Sequence, residues 1–374
     1  MAPRLIVHVI HHLVIGGMEN GVVNLVNRLP RERFRHAIVC IEDSSDFAAR
    51  IQWPDVQVHA LHRSRIGIWR LRLGIFRLLR QLRPDIVHTR NLSGLDALLP
   101  ARLAHAKTVH SEHGFDVDNL HGLAWRPKLV RRVHAPLVQR YVSVSQNLRG
   151  LMSEQWGLPP SRITQIYNGV DTDTFQPPSK RPRQLLPEGF RRDGLFIVGT
   201  VGRLRPVKDH DTLLCAFAGL ARRRADLRAR LRLMVVGDGP LRDELMQRAR
   251  ALGIAEQVWF AGARQDIAAL MQVMDLFVLP SLNEGVSNTL LEAMAAGLPV
   301  LATAVGGNVE LMDAGVVGAD FAPGDRALLA DLTERYADDA DLCRRHGAAA
   351  RERAVRHFSL RTMVQNYAKL YEAL

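Results

Sequence analysis

Short runs rich in Val, Ile, Leu and Phe alternate with helical patterns along most of the chain, and no other feature constrains its fold as tightly. Strand-like runs fall at 5–10, 36–41, 56–61, 85–88, 108–111, 141–144 and 163–167, with helical patterns at 19–28, 67–82 and 94–104 between them. A strand that is followed by a helix can return only as a parallel neighbour, so this alternation calls for a parallel sheet with helices on its faces. Asn168-Gly169-Val170-Asp171 and a basic stretch with Pro177, Pro178, Pro182 and Pro187 interrupt the pattern. It then restarts, with strands at 196–201, 231–236, 258–260 and 276–280 and helices at 211–221, 241–252, 266–271 and from 288. The expected fold class is α/β, with two doubly wound domains facing each other across a cleft. The expected boundaries are 1–170, a linker 171–193, a second domain 194–358, and a C-terminal helix 359–374 packing back toward the first domain. Ligands of such sheets bind outside the carboxyl ends of the strands, so the loops at those ends are where chemistry is sought.

Composition narrows the class. A chain of 374 residues exceeds one ordinary core and suits two domains, and its 47% hydrophobic and 24% charged residues exclude a disordered chain. Cys40, Cys215 and Cys343 are odd in number and lack paired spacing, which argues against a disulfide framework or a zinc site and for a reducing compartment. The run 5–15 is broken by His8, His11 and His12 and lacks a small-residue cleavage site, so it reads as a first strand and a cytoplasmic location is expected. Of the net charge of +12, residues 1–180 hold 24 Lys+Arg against 14 Asp+Glu. A basic first half suits a lipid surface or a phosphate-bearing acceptor. Its Arg residues are not interleaved with stacking aromatics, so no nucleic acid is expected.

The most informative stretch is Asn283-Glu284-Gly285-Val286-Ser287-Asn288-Thr289-Leu290-Leu291-Glu292-Ala293-Met294-Ala295-Ala296-Gly297-Leu298-Pro299-Val300. Ser287 or Asn288 can cap a helix that Gly297 and Pro299 end. The amides at Gly285, Val286, Ser287 and Asn288 then point outward at the positive end of a helix dipole, a place for a phosphate or a sugar hydroxyl. Glu284 precedes the turn and Glu292 lies eight positions on; an ordinary strand–turn–helix with a solvated Glu292 would show the same spacing. The whole run closely resembles the donor-site signature of retaining glycosyltransferases of family four, which have two Rossmann-like domains in the GT-B arrangement. The resemblance extends over nearly the whole chain and is strongest over 160–310.

Further motifs sit at the expected strand ends. Gly16-Gly17 opens a helix after the first strand, where small residues leave a backbone open to a phosphate; a tight βα turn would look alike. Ser111-Glu112-His113-Gly114 ends another strand, and the resemblance places His113 beside the donor sugar, orienting sugar and acceptor. In Gly202-Arg203-Leu204-Arg205-Pro206-Val207-Lys208, Arg203 and Lys208 can straddle a diphosphate, with Arg205 left to solvent. Asp209 follows the Lys where the resembled family more usually has Gly. Gly237-Asp238-Gly239-Pro240 resembles the turn lining the nucleotide pocket, and Gly262-Ala263-Arg264-Gln265 the segment beside the base, so Gly239 and Arg264 join the expected donor site. The resemblance implies that Glu284 holds donor hydroxyls and Glu292 the ribose.

The helix 66–82 has Arg at 63, 65, 70, 72, 77, 80 and 83 and no acid among them. At 100° per residue, Ile68, Leu71, Ile75, Leu78, Leu79 and Leu82 form one apolar stripe for the sheet. Ile66, Trp69, Leu73 and Phe76 form a second, which either packs under a neighbouring loop or inserts shallowly into an anionic membrane surface.

These readings converge on a retaining, metal-independent glycosyltransferase of the hexosyltransferase type. It would move a sugar from a UDP- or GDP-linked donor to a glycan or lipid-linked saccharide, in a setting of exopolysaccharide or cell-envelope synthesis implied by the resemblance. No cofactor is expected, and no Asp-x-Asp metal site lies at a strand end. Arg203, Lys208, the Gly17 amide and the helix start at Val286–Asn288 would absorb the charge on the leaving diphosphate. A sugar-nucleotide epimerase on the same fold would share the donor but not the acceptor, and a noncatalytic nucleotide-sugar scaffold would keep the cations without turnover. The absent spaced-glycine fingerprint excludes a nicotinamide dehydrogenase.

Overall fold

The computed structural model describes residues 2–114, 124–313 and 315–374. The chain divides into two compact units, Met1–Gly169 with Leu360–Leu374, and Val170–Ser359.

The first unit runs β1 (Arg4–Ile10), α1 (Gly17–Arg28), β2 (Phe34–Cys40), β3 (Gln57–Ala60), α2 (Ile68–Leu82), β4 (Ile86–Arg90), α3 (Asn91–Gly94), α4 (Leu98–Leu103), β5 (Lys107–Glu112), α5 (Trp125–His134), β6 (Arg140–Ser143), α6 (Gln146–Glu154) and β7 (Ile163–Gln165). Its strands form one parallel sheet in the order β3-β2-β1-β4-β5-β6-β7, so the winding reverses between β1 and β4. Strands buried on both faces read as largely apolar runs, which is why β1 and β2 stand out in the sequence. The α2 stripe Leu71, Ile75 and Leu79 packs on Val7, Val9, Val39 and Val87.

The second unit runs β8 (Phe196–Val201), α7 (His210–Arg223), α8 (Ala225–Arg230), β9 (Leu231–Val236), α9 (Arg242–Ala251), β10 (Val258–Gly262), α10 (Ile267–Met271), β11 (Leu276–Leu279), α11 (Asn288–Ala295), β12 (Val300–Thr303), α12 (Asn308–Leu311), β13 (Gly318–Phe321), α13 (Arg326–Asp338) and α14 (Ala340–His357). The parallel order is β10-β9-β8-β11-β12-β13, with the reversal between β8 and β11. The last helix, α15 (Leu360–Glu372), returns to the first unit and lays Met363, Tyr367 and Tyr371 against Ile6, Leu25, Phe34 and Val109.

Three details differ from the sequence reading. Residues 171–193, expected as a linker, pack as part of the second unit: Leu186 and Phe190 are buried, and Arg181 pairs with Asp275 at 2.6 Å. The single helix expected over 94–104 is two short helices joined by a turn over Leu95–Ala97. Ile66, assigned to the outer stripe of α2, packs against the core, because it precedes the helix and is not bound to its periodicity.

Candidate active site

In the second unit five loops gather at the carboxyl ends of β8 to β12. After β11 the chain turns through Glu284 and Gly285 into α11, where Ser287 is the N-cap and its Oγ accepts from the Leu290 amide at 3.3 Å. Val286, Asn288 and Glu292 follow from that cap, with Val286 buried and Asn288 and Glu292 half-buried. The Leu282 amide bonds the Val207 carbonyl at 2.8 Å, which brings this turn against the loop that carries Lys208. There the Lys208 ammonium donates to Glu284 Oε1, and Ser281 Oγ donates to the same oxygen at 2.7 Å. Residues 76 apart in sequence thus form one ion pair, with side-chain exposures of 23% for Lys208 and 11% for Glu284. Arg203 lies exposed on the same loop, at the end of β8.

Asp209 explains how the loop tolerates a residue other than Gly. Its φ is +44°, in the left-handed region that glycine enters most easily. Its carboxylate caps α7, accepting from the Thr212 amide at 3.4 Å and from Thr212 Oγ1 at 2.7 Å, so the cap offsets the strain.

Glycine packing sets the remaining loops. Gly237 has φ +138° and lies against the Gly202 carbonyl, where a Cβ would overlap it; Gly239 also lies too close to the Leu204 backbone to carry a Cβ. The Leu204 amide bonds the Asp238 carbonyl at 2.9 Å. Gly306 and Gly307, which the sequence reading did not single out, press their backbones on the Glu284 and Gly285 carbonyls so closely that neither could carry a Cβ. Asn308 behind them is fully buried and donates to the Thr303 carbonyl at 3.3 Å. The double glycine after the apolar run 300–303 was the available signal. Arg264 is not a bare cation: it forms a bidentate pair with Asp266, at 2.8 and 2.7 Å.

In the first unit, Gly16 is the extended N-cap of α1 and supplies no side chain, so no side chain caps the helix start at Gly17. Asn91, also missed, sits just past β4. Its Oδ1 accepts the His113 amide at 2.9 Å, and its Nδ2 approaches Met18 Sδ at 3.7 Å, so the Gly16–Gly17 turn and His113 meet on one side chain. Both His113 ring nitrogens are closed off from solvent and have no partner among the described residues. Burial, with the Arg90 guanidinium nearby, pulls the His113 imidazole down to about 3, so it is neutral.

Beneath this loop lies a buried polar row. Arg90, 2% exposed, donates to His8 Nδ1 at 3.2 Å, and His8 Nε2 faces His36 Nδ1 at 3.0 Å. Tyr371 of α15 bonds His88 Nδ1 at 2.7 Å, and His88 Nε2 meets Ser111 Oγ. No carboxylate pairs with Arg90 among the described residues, so a buried cation is carried by neutral rings and tyrosines. Burial and Arg90 together push His8 and His88 well below the ordinary histidine value. Glu112 is different: burial opposes its charge, but Arg131 and His110 hold its carboxyl down at about 2. Arg131 grips it through Nε at 2.6 Å and lies 4.2 Å over Trp156.

Among the described residues no group of three or more His, Cys, Asp or Glu is placed to hold a metal ion. The units each present a set of loop residues at the strand ends that the sequence singled out.

Comparison with known proteins agrees with this layout. Residues 184–353 match the family model for glycosyl transferases group 1, and residues 15–174 that for glycosyltransferase family 4. A GDP-mannose-dependent alpha-mannosyltransferase of Mycobacterium tuberculosis is 31% identical over 321 residues, 80% of this chain and 78% of the relative. A UDP-Gal:alpha-D-GlcNAc-diphosphoundecaprenol alpha-1,3-galactosyltransferase of Escherichia coli is 27% identical over 81% of this chain and 80% of its own length. The crystal structure of Anabaena HepE in complex with UDP and glucose superposes with a TM-score of 0.86 at 22% identity, covering 99% of this chain and 100% of that one. The two doubly wound units are those of a GT-B enzyme, and the chain belongs to the family-four glycosyltransferases.

Proposed function

We propose that the protein is a retaining, metal-independent glycosyltransferase that transfers a hexose from a nucleoside diphosphate sugar to a hydroxyl of a glycan or lipid-linked saccharide. The observation that carries this is the Lys208–Glu284 pair at the start of α11, where a cation for phosphate and an acceptor for sugar hydroxyls are already side by side. In the proposed reaction the leaving diphosphate builds up charge as the glycosidic bond breaks. Arg203, Lys208, the Gly17 amide and the amides of Val286, Ser287 and Asn288 take up that charge, and Glu284 holds the sugar. The two cations serve where a divalent ion otherwise would. Glu292 holds the ribose, and Gly16, Gly239, Arg264 and Gly285 line the donor. A neutral His113 orients sugar and acceptor hydroxyl by hydrogen bonding, since an imidazole with so low a pKa carries no charge at neutral pH.

The M. tuberculosis relative is named for GDP-mannose and the E. coli relative for UDP-Gal, which supports a UDP- or GDP-linked donor. The E. coli name also specifies a diphosphoundecaprenol-linked acceptor, which supports a lipid-linked saccharide and cell-envelope or exopolysaccharide synthesis. A place on the inner face of the cytoplasmic membrane fits such an acceptor. No helix among the described residues is long and apolar enough to cross a membrane. Trp69 and Leu73 of α2 are 74% and 46% exposed, beside the exposed Arg65, Arg70, Arg77 and Arg80. On α5, Trp125, Leu129 and Val133 make an exposed i, i+4, i+8 stripe next to Arg126 and Lys128. Both helices have the make-up of an interfacial surface.

Thermal-shift measurements against a panel of UDP- and GDP-sugars test the donor: a ligand at a hundred times its Kd adds about 2.7 kcal/mol to the unit it binds. Transfer to a lipid-linked acceptor in EDTA, followed by determination of the anomeric configuration, tests the rest. A melt that no nucleotide sugar moves, or activity that EDTA abolishes and a divalent ion restores, defeats the respective claim.

A further inference from the structure

We propose that Asn91 is a positioning residue for His113, fixing the backbone from which that imidazole reaches the reacting sugar; the proposal rests on the glycosyltransferase reading above. The argument starts from the sheet. The β4–β5 ladder ends at the pair Arg90 and Ser111, and the β5–β6 ladder at Glu112 and Ser143. His113 therefore lies two residues past the last rung on the β4 side and one past it on the β6 side, where no ladder pair remains to take its amide proton. Asn91 supplies that acceptor with a side chain, Oδ1 standing 2.9 Å from the His113 nitrogen. A single hydrogen bond thus extends the sheet by one residue at the point where the ring must be held.

Residue type and conformation agree with this role. Asn91 has φ +52°, a region that Asn enters more readily than most residues other than Gly. Gly would accept the conformation and offer no acceptor; most side chains would offer neither. The residue before it is anchored: Arg90 is held in the buried row by His8 and His88, and α15 closes that row through Tyr371. The amide side of Asn91 meanwhile meets Met18 in the first turn of α1. Asn91 thus spans from the α1 start to His113, and its own position is set by a buried cation it does not touch with its side chain.

The test uses the full chain with Asn91→Gly, which keeps the left-handed backbone and deletes the acceptor, and Asn91→Asp, which restores an acceptor oxygen. Two readouts are taken together: steady-state transfer, and residue-level hydrogen exchange of the His113 amide. For Asn91→Gly we expect kcat to fall about tenfold or more with donor KM within about twofold, because a displaced reacting group costs rate and not donor binding. The His113 amide should exchange about tenfold faster or more, and Asn91→Asp should return both readouts to within about threefold of the parent. An active parent whose Asn91→Gly variant keeps its kcat overturns the proposal alone. So does an unprotected His113 amide in the parent, a measurement that needs no variant to fold. A loss of kcat that Asn91→Asp does not rescue also counts against it. A parent that transfers no sugar from any nucleotide donor, by contrast, overturns the functional reading and this proposal with it.

Discussion

Replacing Glu284 by Gln should tighten binding of a free nucleoside diphosphate while it destroys transfer. Lys208 is spent on Glu284, so a diphosphate that takes the ammonium must draw it away from that carboxylate. Two unit charges about 4 Å apart at an effective dielectric of about 20 attract by about 4 kcal/mol. Most of that is offset by the cost of keeping both groups from water, which is substantial at 23% and 11% exposure. A net coupling of about 1–2 kcal/mol remains, so freeing Lys208 should lower the Kd for UDP or GDP by about five- to thirtyfold. Transfer should fall by about two orders of magnitude or more, since Glu284 is also the proposed sugar-binding group. Isothermal titration of UDP and GDP measures the first, and a coupled transfer assay the second. Removing a carboxylate near a phosphate would tighten binding even without the pair, so the decisive measurement is a double-mutant cycle with Lys208→Ala. In that background Glu284→Gln should gain less than about threefold. An equal gain in both backgrounds would refute the pair as the cause, and weaker binding in Glu284→Gln would refute the whole line of reasoning.

Three more outcomes can be measured. Burial and nearby cations depress His36 to about 4 and His113 to about 3, so the fold favours their neutral forms; their stabilisation is complete above the ordinary histidine value and is lost as pH falls from about 6.5 toward those values. At pH 5 this removes about 2 kcal/mol for each from the first unit, and urea midpoints that do not fall between pH 7.5 and 5 would contradict it. Asp209→Ala should cost about 2–3 kcal/mol, losing the α7 cap while keeping the strained φ, whereas Asp209→Gly should stay within about 1 kcal/mol of the parent; equal losses in chemical denaturation would break the argument. Trp69→Glu should reduce flotation with anionic vesicles, and unchanged flotation would remove α2 from the proposed membrane surface.

The parts of this molecule legible in its sequence are those governed by local pattern. Strands β1, β2, β8 and β9 are buried on both faces and announce themselves as largely apolar runs. The α11 cap and the Gly237 turn are short-range: the cap was narrowed to Ser287 or Asn288, of which Ser287 holds it, and the turn was read where it lies. What escaped depends on side chains meeting across the sheet. Asn91 carries no local signal, because its partner lies 22 residues on and past the end of a strand. Gly306 and Gly307 look like a loop until the Glu284 turn is laid against them. Arg264 was read only as part of the segment beside the base, and its pairing with Asp266 two residues later was not foreseen. Helix α5 has a proline and few core-facing apolar residues, so its period was hidden, and only its fold context makes its exposed stripe visible.

Charge shows most sharply why a count over sequence is not a surface property. The excess of 24 cations over 14 acids in residues 1–180 read as an outward-facing basic field. Part of it is turned inward instead. Arg90 is buried beneath the β4 end, and Arg131 is spent on Glu112. Arg72 is held by Asp96 at 3.0 Å, an acid the helical stretch itself does not contain. The Arg90 cation has a further effect: the imidazoles that bond it can do so only as neutral rings, and a proton on any of them would add a second buried positive charge. The burial of His113 and His36 themselves is the larger cause of their neutral state, and the Arg90 cation beneath them adds to it, so the acid sensitivity expected of the first unit comes from both.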